Sequence, residues 1–203
     1  MPSTSSATSE PRPSARDRLL AAADALFYAE GVQSVGIDRV IERAGVAKAS
    51  LYHSFSSKEE LVAAYLKGRQ DRITERLNAA IAEVDSPREK VIAVFNSQAH
   101  QLSRHDFRGC AFAAASTEAP SGGLVQEVTE GYRRWLRDLF TDLVREAGAS
   151  DPSRLGRQLQ MIYDGANLAA RIDHWDPDIA TSAREAAEAL LDASAPRRSR
   201  RSR

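Results

Sequence analysis

Cysteine is nearly absent from this 203-residue chain, with Cys110 standing alone. One thiol can form neither an intrachain disulfide nor a cysteine zinc cluster. Also missing is any apolar run near the roughly 20 residues that a membrane-spanning helix needs. The opening stretch, MPSTSSATSEPRPSAR, lacks the apolar core of a secretory signal. Residues 1–14 read as a disordered tail, and a cytoplasmic protein follows as the expectation. Excess charge of one sign is lacking too, since 28 basic side chains face 28 acidic ones. That balance hides an asymmetry. Residues 197–203 hold five arginines and no acid, which leaves residues 1–196 with 23 bases against 28 acids, a net of −5. Residues 1–68 hold 8 of each. A purely architectural DNA binder would be strongly basic, so any role on DNA must rest on the local placement of charge.

Signs of enzymatic chemistry are missing as well. His100 and His105 are five residues apart, which turns them roughly 140° from each other on a helix. No glutamate stands three residues before any histidine, which removes the di-iron bundle pattern. The chain has no phosphate loop and no nucleophile elbow. It therefore reads as a non-enzyme without cofactor or metal.

No sustained period-two alternation marks a strand, whereas helical signals recur throughout. Ser14 can cap a helix with Leu19, Ala23, Leu26 and Phe27 on one face, stopping at Gly31. Ser57-Lys58-Glu59-Glu60 and Ser86-Pro87-Arg88-Glu89 both have the form of a capping box. In the first, the Glu60 carboxylate is expected to reach back to Ser57. Asp151-Pro152 and Asp176-Pro177 join a cap to a proline at the first turn. A segment from about Phe107 to Glu118 and a long helix from about Gly123 to Ala147 lie between. The expectation is an all-α protein of about nine helices. Its three-helix head would span 15–62, its helical body 63–194, and a basic tail 195–203.

The informative stretch is VGIDRVIERAGVAKASLYHSFSSKEEL, residues 35–61. It reads as helix, tight turn, helix. Ala44 lets two helix axes approach, Gly45 permits a strained turn, and Val46 fills the gap between the helices. Ile37, Val40, Ile41, Val46, Leu51 and Phe55 form one core with Leu26 and Phe27. Lys48, Ser50, Tyr52 and His53 are left pointing outward on a helix of about two turns, short enough to enter a major groove. The hydroxyls of Ser50 and Tyr52 suit phosphates, and the cation of Lys48 suits a guanine edge or a phosphate. Lys58 opens the next helix, where its charge opposes the helix dipole unless a phosphate binds beside it.

AGVAKASLYHSFSSKEEL resembles the signature of the TetR family of bacterial repressors. In that signature a glycine turn leads into a recognition helix ending in Leu-Tyr-x-x-Phe, followed by a Ser-Lys-x-x-Leu helix start. The resemblance covers roughly residues 15–66. It implies a homodimer, an all-helical ligand-binding body, and release from an operator in double-stranded DNA when a small molecule binds. Carried onto this chain, recognition-helix contacts fall on Lys48, Ala49, Ser50, Tyr52 and His53. Phosphate contacts fall on Tyr52 and Lys58, joined by Arg39 and Gly36 at the preceding helix. Gly36 departs from the threonine or serine often found there, keeping the amide and losing the hydroxyl.

The rest of the chain yields coarser expectations. The last two helices carry Leu155, Leu159, Ile162, Tyr163, Ala166, Ala169 and Ala170, then Ala183, Ala186, Ala187, Leu190 and Leu191. These small and apolar faces are expected to build a four-helix dimer interface across a two-fold axis. A ligand pocket is expected among the middle helices, near Phe95, His100, Cys110, Phe112, Trp135 and Tyr163, and suited to an apolar ligand. Cys110 lies in an Arg-Gly-Cys run similar to one found near the pocket in a branch of the TetR family. It reads first as a small core residue, since a sensor thiol would need a lowered pKa and exposure. The arginine tail reads first as a solubilising end, with added nonspecific DNA affinity as the alternative.

Overall fold

The computed structural model describes residues 13–119, 122–173 and 176–194. Both expected tails, apart from Ser14 and the residue before it, lie outside these, as do His174 and Trp175. Within the described residues the chain is all-α. Its helices are α1 (Ala15–Glu30), α2 (Ile37–Ala44), α3 (Lys48–Ser54), α4 (Lys58–Ala82), α5 (Pro87–Leu102), α6 (Ala111–Glu118), α7 (Leu124–Glu146), α8 (Pro152–Ile172) and α9 (Asp178–Ser194). Among the described residues no helix is long and apolar enough to cross a membrane. The chain divides into two compact units, one ending at Tyr65 and one beginning at Leu66.

Local chemistry starts most of these helices where expected. Ser14 Oγ accepts from the Asp17 amide at 3.1 Å, and the Ser14 amide donates to the Asp17 carboxylate at 3.2 Å. Asp151 caps α8 by accepting from the Arg154 amide at 3.0 Å, with Pro152 at the first turn. At α4 the Ser57 hydroxyl accepts from the Glu60 amide at 3.1 Å. The Glu60 carboxylate, however, takes the amide of Ser56 at 2.8 Å together with the Ser56 hydroxyl, not the amide of Ser57. Ser56 offers that carboxylate two donors, while the Ser57 side chain is already engaged as acceptor. Ser86 precedes α5 without a side-chain cap, so the expected second box is not formed. Pro87 removes one orphan amide and presets φ there. The segment expected to be helical from Phe107 begins its helix only at Ala111, because Gly109 takes the left-handed side at φ 89°.

The first unit buries Leu19, Leu26 and Phe27 of α1 against Val35, Val40, Leu51 and Phe55. Tyr65 closes this core edge-on to Phe27, with centroids 5.6 Å apart. Ile37, Ile41 and Val46 are half-buried at its rim. In the second unit, Phe95, Phe140 and Tyr163 form an aromatic triangle with centroids 5.7 to 6.2 Å apart. Buried Gln98 ties α5 to α8 by donating to the Tyr163 carbonyl at 2.7 Å.

Most of the face expected to build an interface turns inward, while Ile162, Ala169 and Leu190 stay half-buried and Ala186 exposed. Leu155, Leu159, Tyr163, Ala166 and Ala170 are buried within the chain, as are Ala183, Ala187 and Leu191 of α9. A different apolar ridge lies outside. Met161, Leu168 and Ile172 are 60 to 67% exposed, with exposed Gly165 between them. The spacing 161, 165, 168, 172 runs straight along one side of the helix.

Gly156 sets how closely α7 and α8 pack. A Cβ there would collide with Thr141 Oγ1 and lie 2.9 Å from the Thr141 backbone nitrogen and Cα. Gly→Ala inside a helix normally stabilises by roughly 0.5–1 kcal/mol. At this crossing the overpacking term, about 1–3 kcal/mol, reverses the sign. Gly156→Ala should lower the thermal midpoint, while Gly68→Ala on α4, whose Cβ position meets only the tip of Arg72 at 3.9 Å, should raise it or leave it unchanged. Thermal unfolding followed by circular dichroism checks both.

Candidate functional site

The turn between α2 and α3 is built from Ala44, Gly45, Val46 and Ala47. Gly45 adopts the left-handed conformation, φ 61° and ψ 43°, and its amide closes α2 on the carbonyls of Ile41 and Glu42. Two carbonyls at this end are bound from outside the motif. Arg18 of α1 donates through Nη1 to the Gly45 carbonyl at 3.0 Å and the Ala44 carbonyl at 3.4 Å. A guanidinium also suits the negative end of the α2 dipole. Arg16, two residues earlier, stacks its guanidinium 5.0 Å over the Phe55 ring. Sequence reasoning missed both arginines. Their signal was only a pair of cations flanking the capping Asp17 at the start of α1.

Leu51 is fully buried and pins α3 to the core. Lys48, Ala49, Tyr52 and His53 are exposed on the opposite arc, and Ser50 is half-buried at its edge. Tyr52 keeps 55% of its surface in solvent, unusual for a large ring with nothing to cover it. Lys58 stands half-buried at the first position of α4, and exposed Gly36 precedes α2 with no side-chain cap.

Two bases of this surface already have acidic partners. Lys48 Nζ lies 3.1 Å from Asp38, and Arg39 makes a two-point bridge to Glu30 at 2.7 and 3.0 Å. The hydrogen bond from Arg39 holds the Glu30 carboxyl below its ordinary value, and the bond to Asp38 raises the Lys48 ammonium. All four side chains are largely exposed. Such pairs contribute little to stability and exchange readily for another anion.

The second unit holds a cavity of about 590 Å³ between α6, α7 and α8. Of the six residues expected at a ligand pocket, Cys110 and Phe112 line it. Phe95 and Tyr163 sit in the buried aromatic triangle, and His100 is exposed. Trp135 is half-buried, 5.9 Å from Tyr132 between ring centroids. Burial pushes the Cys110 thiol up, so near neutral pH it is held in its unreactive form. Among the described residues no group of three metal-ligating side chains occurs.

Residues 19–65, which include the turn and α3, match the family of bacterial regulatory proteins, tetR family. The chain is 35% identical to a TetR-family transcriptional regulator of Streptomyces coelicolor whose crystal structure is known, over 90% of this chain and 96% of that one, with a TM-score of 0.84. It is 33% identical over 99 residues to the transcriptional activator FasR of Mycolicibacterium smegmatis, covering 49% of this chain and 45% of that protein. It is 30% identical over 92 residues to the transcriptional repressor KstR2 of Mycobacterium tuberculosis, covering 45% and 46%. An all-α fold shared along nearly the whole of the Streptomyces protein, with the family match over residues 19–65, makes this chain a member of the TetR family of DNA-binding, non-enzymatic transcriptional regulators.

Proposed function

We propose that this protein is a repressor that binds a palindromic operator as a homodimer and leaves it when a small, mainly apolar molecule binds the second unit. The observation that carries the reading is the outward arc of α3. A seven-residue helix held from behind by Leu51 and Arg18 presents Ala49, Tyr52 and His53 to solvent, beside Lys48, whose partner inside the chain is the exposed Asp38. In this reading Lys48 leaves Asp38 for a base edge or phosphate, and the Ala49 methyl meets a thymine methyl. Ser50 and Tyr52 bond phosphates, His53 lies at the groove edge, and Arg39, Lys58 and the Gly36 amide grip the backbone on either side. The exposed ridge of Met161, Gly165, Leu168 and Ile172 supports a second copy docking through α8 and α9, since apolar surface of this kind is usually covered by a partner. The reading places the protein in the cytoplasm, with the chromosome. The repressor sense follows KstR2; FasR is the activator counterexample, and transcription from an operator-bearing promoter in vitro decides between them.

Two recognition helices related by a two-fold axis require half-sites about one helical turn apart. Selection of random duplexes by the purified protein should return inverted repeats with that spacing. A bound pool without inverted symmetry would sink the reading.

Positioning and reading contacts separate by mutation. Lys58→Ala should weaken binding to all sequences alike and reduce the salt slope by roughly one unit. Lys48→Ala should instead alter which bases are preferred. Binding isotherms at several salt concentrations, on operator and scrambled duplexes, distinguish the two.

Gly36→Ser should restore the missing hydroxyl. The backbone there, φ −76° and ψ 156°, suits serine, and nothing lies within 4 Å of the new Cβ. The cap should add a few tenths of a kcal/mol to stability. Affinity should rise for operator and scrambled DNA in the same proportion, read from the same isotherms.

A further inference from the structure

The cavity between α6, α7 and α8 carries a feature that the core does not explain. Thr129 of α7 is 7% exposed and lines this cavity, and its Oγ1 is the one buried side-chain polar atom without a hydrogen-bond partner among the described residues. Other helical hydroxyls here bond back to their own helix. Thr141 donates to the Arg137 carbonyl at 2.8 Å, Thr117 to Ala114 at 2.8 Å, and Ser54 to Ser50 at 2.9 Å. Thr129 has no such bond, so its hydroxyl stands as a desolvated donor and acceptor within the cavity wall, which is costly unless something meets it.

The surrounding chemistry limits what can. Phe112 and Tyr132 stack with centroids 3.8 Å apart and planes 5° apart, and form one aromatic block in the wall. Arg133, one turn beyond Thr129, is bound to Asp164 of α8 at 2.7 Å, and both line the cavity. Their charges cancel, and Glu118 and Arg171 elsewhere in the lining balance too, so the cavity offers an ion no net opposite charge. An ionic group seated at the Arg133–Asp164 pair would have to break it and leave one charge partly buried and alone. A volume of about 590 Å³ lies inside the usual span for small-molecule sites.

We propose that this cavity binds an uncharged, mainly apolar and aromatic small molecule carrying one hydrogen-bonding group, which it places on Thr129 Oγ1. This rests on the reading of the second unit as the ligand-sensing half of a regulator. The hydroxyl accepts from an N–H or O–H of the ligand or donates to a carbonyl.

The test uses the full chain and two dyes that differ in charge, neutral N-phenyl-1-naphthylamine and its sulfonated relative 8-anilino-1-naphthalenesulfonate. The neutral dye should bind saturably with a gain in fluorescence, at least tenfold more tightly than the sulfonate. Thr129→Val keeps the shape and removes the hydroxyl. It should weaken the neutral dye about three- to tenfold. The same change should raise the thermal midpoint of the ligand-free protein by roughly 2–4 °C, since an unsatisfied buried hydroxyl is replaced by a methyl. A merely structural threonine would not move these two readouts in opposite directions. Ala114→Trp, which fills the cavity, should abolish dye binding. Asp164→Asn frees Arg133 and should narrow the preference against the sulfonate.

Absence of saturable binding, equal dye affinity in Thr129→Val, or a sulfonate that binds as tightly as the neutral dye overturns the proposal. Should Ala114→Trp fail to fold, the Thr129→Val and sulfonate comparisons decide alone. The duplex selection separates this from the wider reading. Hydroxyl-dependent dye binding by a protein that selects no palindrome leaves the cavity assignment standing and removes the regulator. A protein that selects a palindrome while its dye binding ignores Thr129 does the reverse.

Discussion

Two hydrogen bonds from Arg18 to the carbonyls of Ala44 and Gly45 hold the turn from which α3 projects. A seven-residue helix cannot support itself, because nucleating a helix costs more than so short a run returns. Its direction is imposed by what grips its two ends. At the start, Gly45 reverses the chain in a conformation that few residues tolerate, and Arg18 binds the carbonyls that the reversal exposes. At the finish, Phe55 is buried beneath the Arg16 guanidinium, and the Ser56–Glu60 contact starts the next helix at once. The exposed arc of α3 is therefore held at both ends and by Leu51 beneath it, with no demand on its outward side chains. This leaves its side chains free to vary with the DNA they read.

The neutral head is less of an obstacle to DNA binding than its net charge suggests. Association depends on the charges near the docking surface. Glu30 and Asp38 hold Arg39 and Lys48 in exposed ion pairs whose energy is small in water. A polyanion competes with these carboxylates on favourable terms, because the bases are already oriented and little side-chain entropy remains to be lost.

Legibility followed the range of the interaction. Caps made by Ser14, Ser57 and Asp151 were readable because donor and acceptor lie three residues apart, and the helix-turn-helix because small, bent and apolar positions recur at fixed spacing. The α8 surface was misread for a physical reason. Both of its sides carry apolar or small residues, so periodicity shows an apolar helix without saying which side meets the chain's own core. Leu155, Leu159 and Tyr163 took that side, and Met161, Leu168 and Ile172 were left outside. The cavity was less legible still. Cys110 and Phe112 at its wall were among the candidates, whereas Phe95 and Tyr163 proved to be core. Thr129 and Asp164 carry no sequence mark, since their character depends on which groups fail to reach them.

The loop before α6 is held by buried Phe107 and, nearer the helix, by a contact with α8. Arg171 in the last turn of α8 packs its side chain over Gly109 and donates to the Arg108 carbonyl at 2.6 Å. A Cβ at Gly109 would stand 3.0 Å from the Arg171 Cδ and would have to hold φ 89°, so glycine suits both the contact and the backbone here. The bond is solvent-exposed and α6 is only eight residues long, packed mainly on α7. The buried anchors of this segment are Phe107, Phe112 and Ala115, and a segment held by so short a list opens at a lower free energy than the whole unit unfolds. If the cavity is filled as proposed, the opening of this segment becomes one of the steps that set how long a molecule stays against Phe112 and Tyr132.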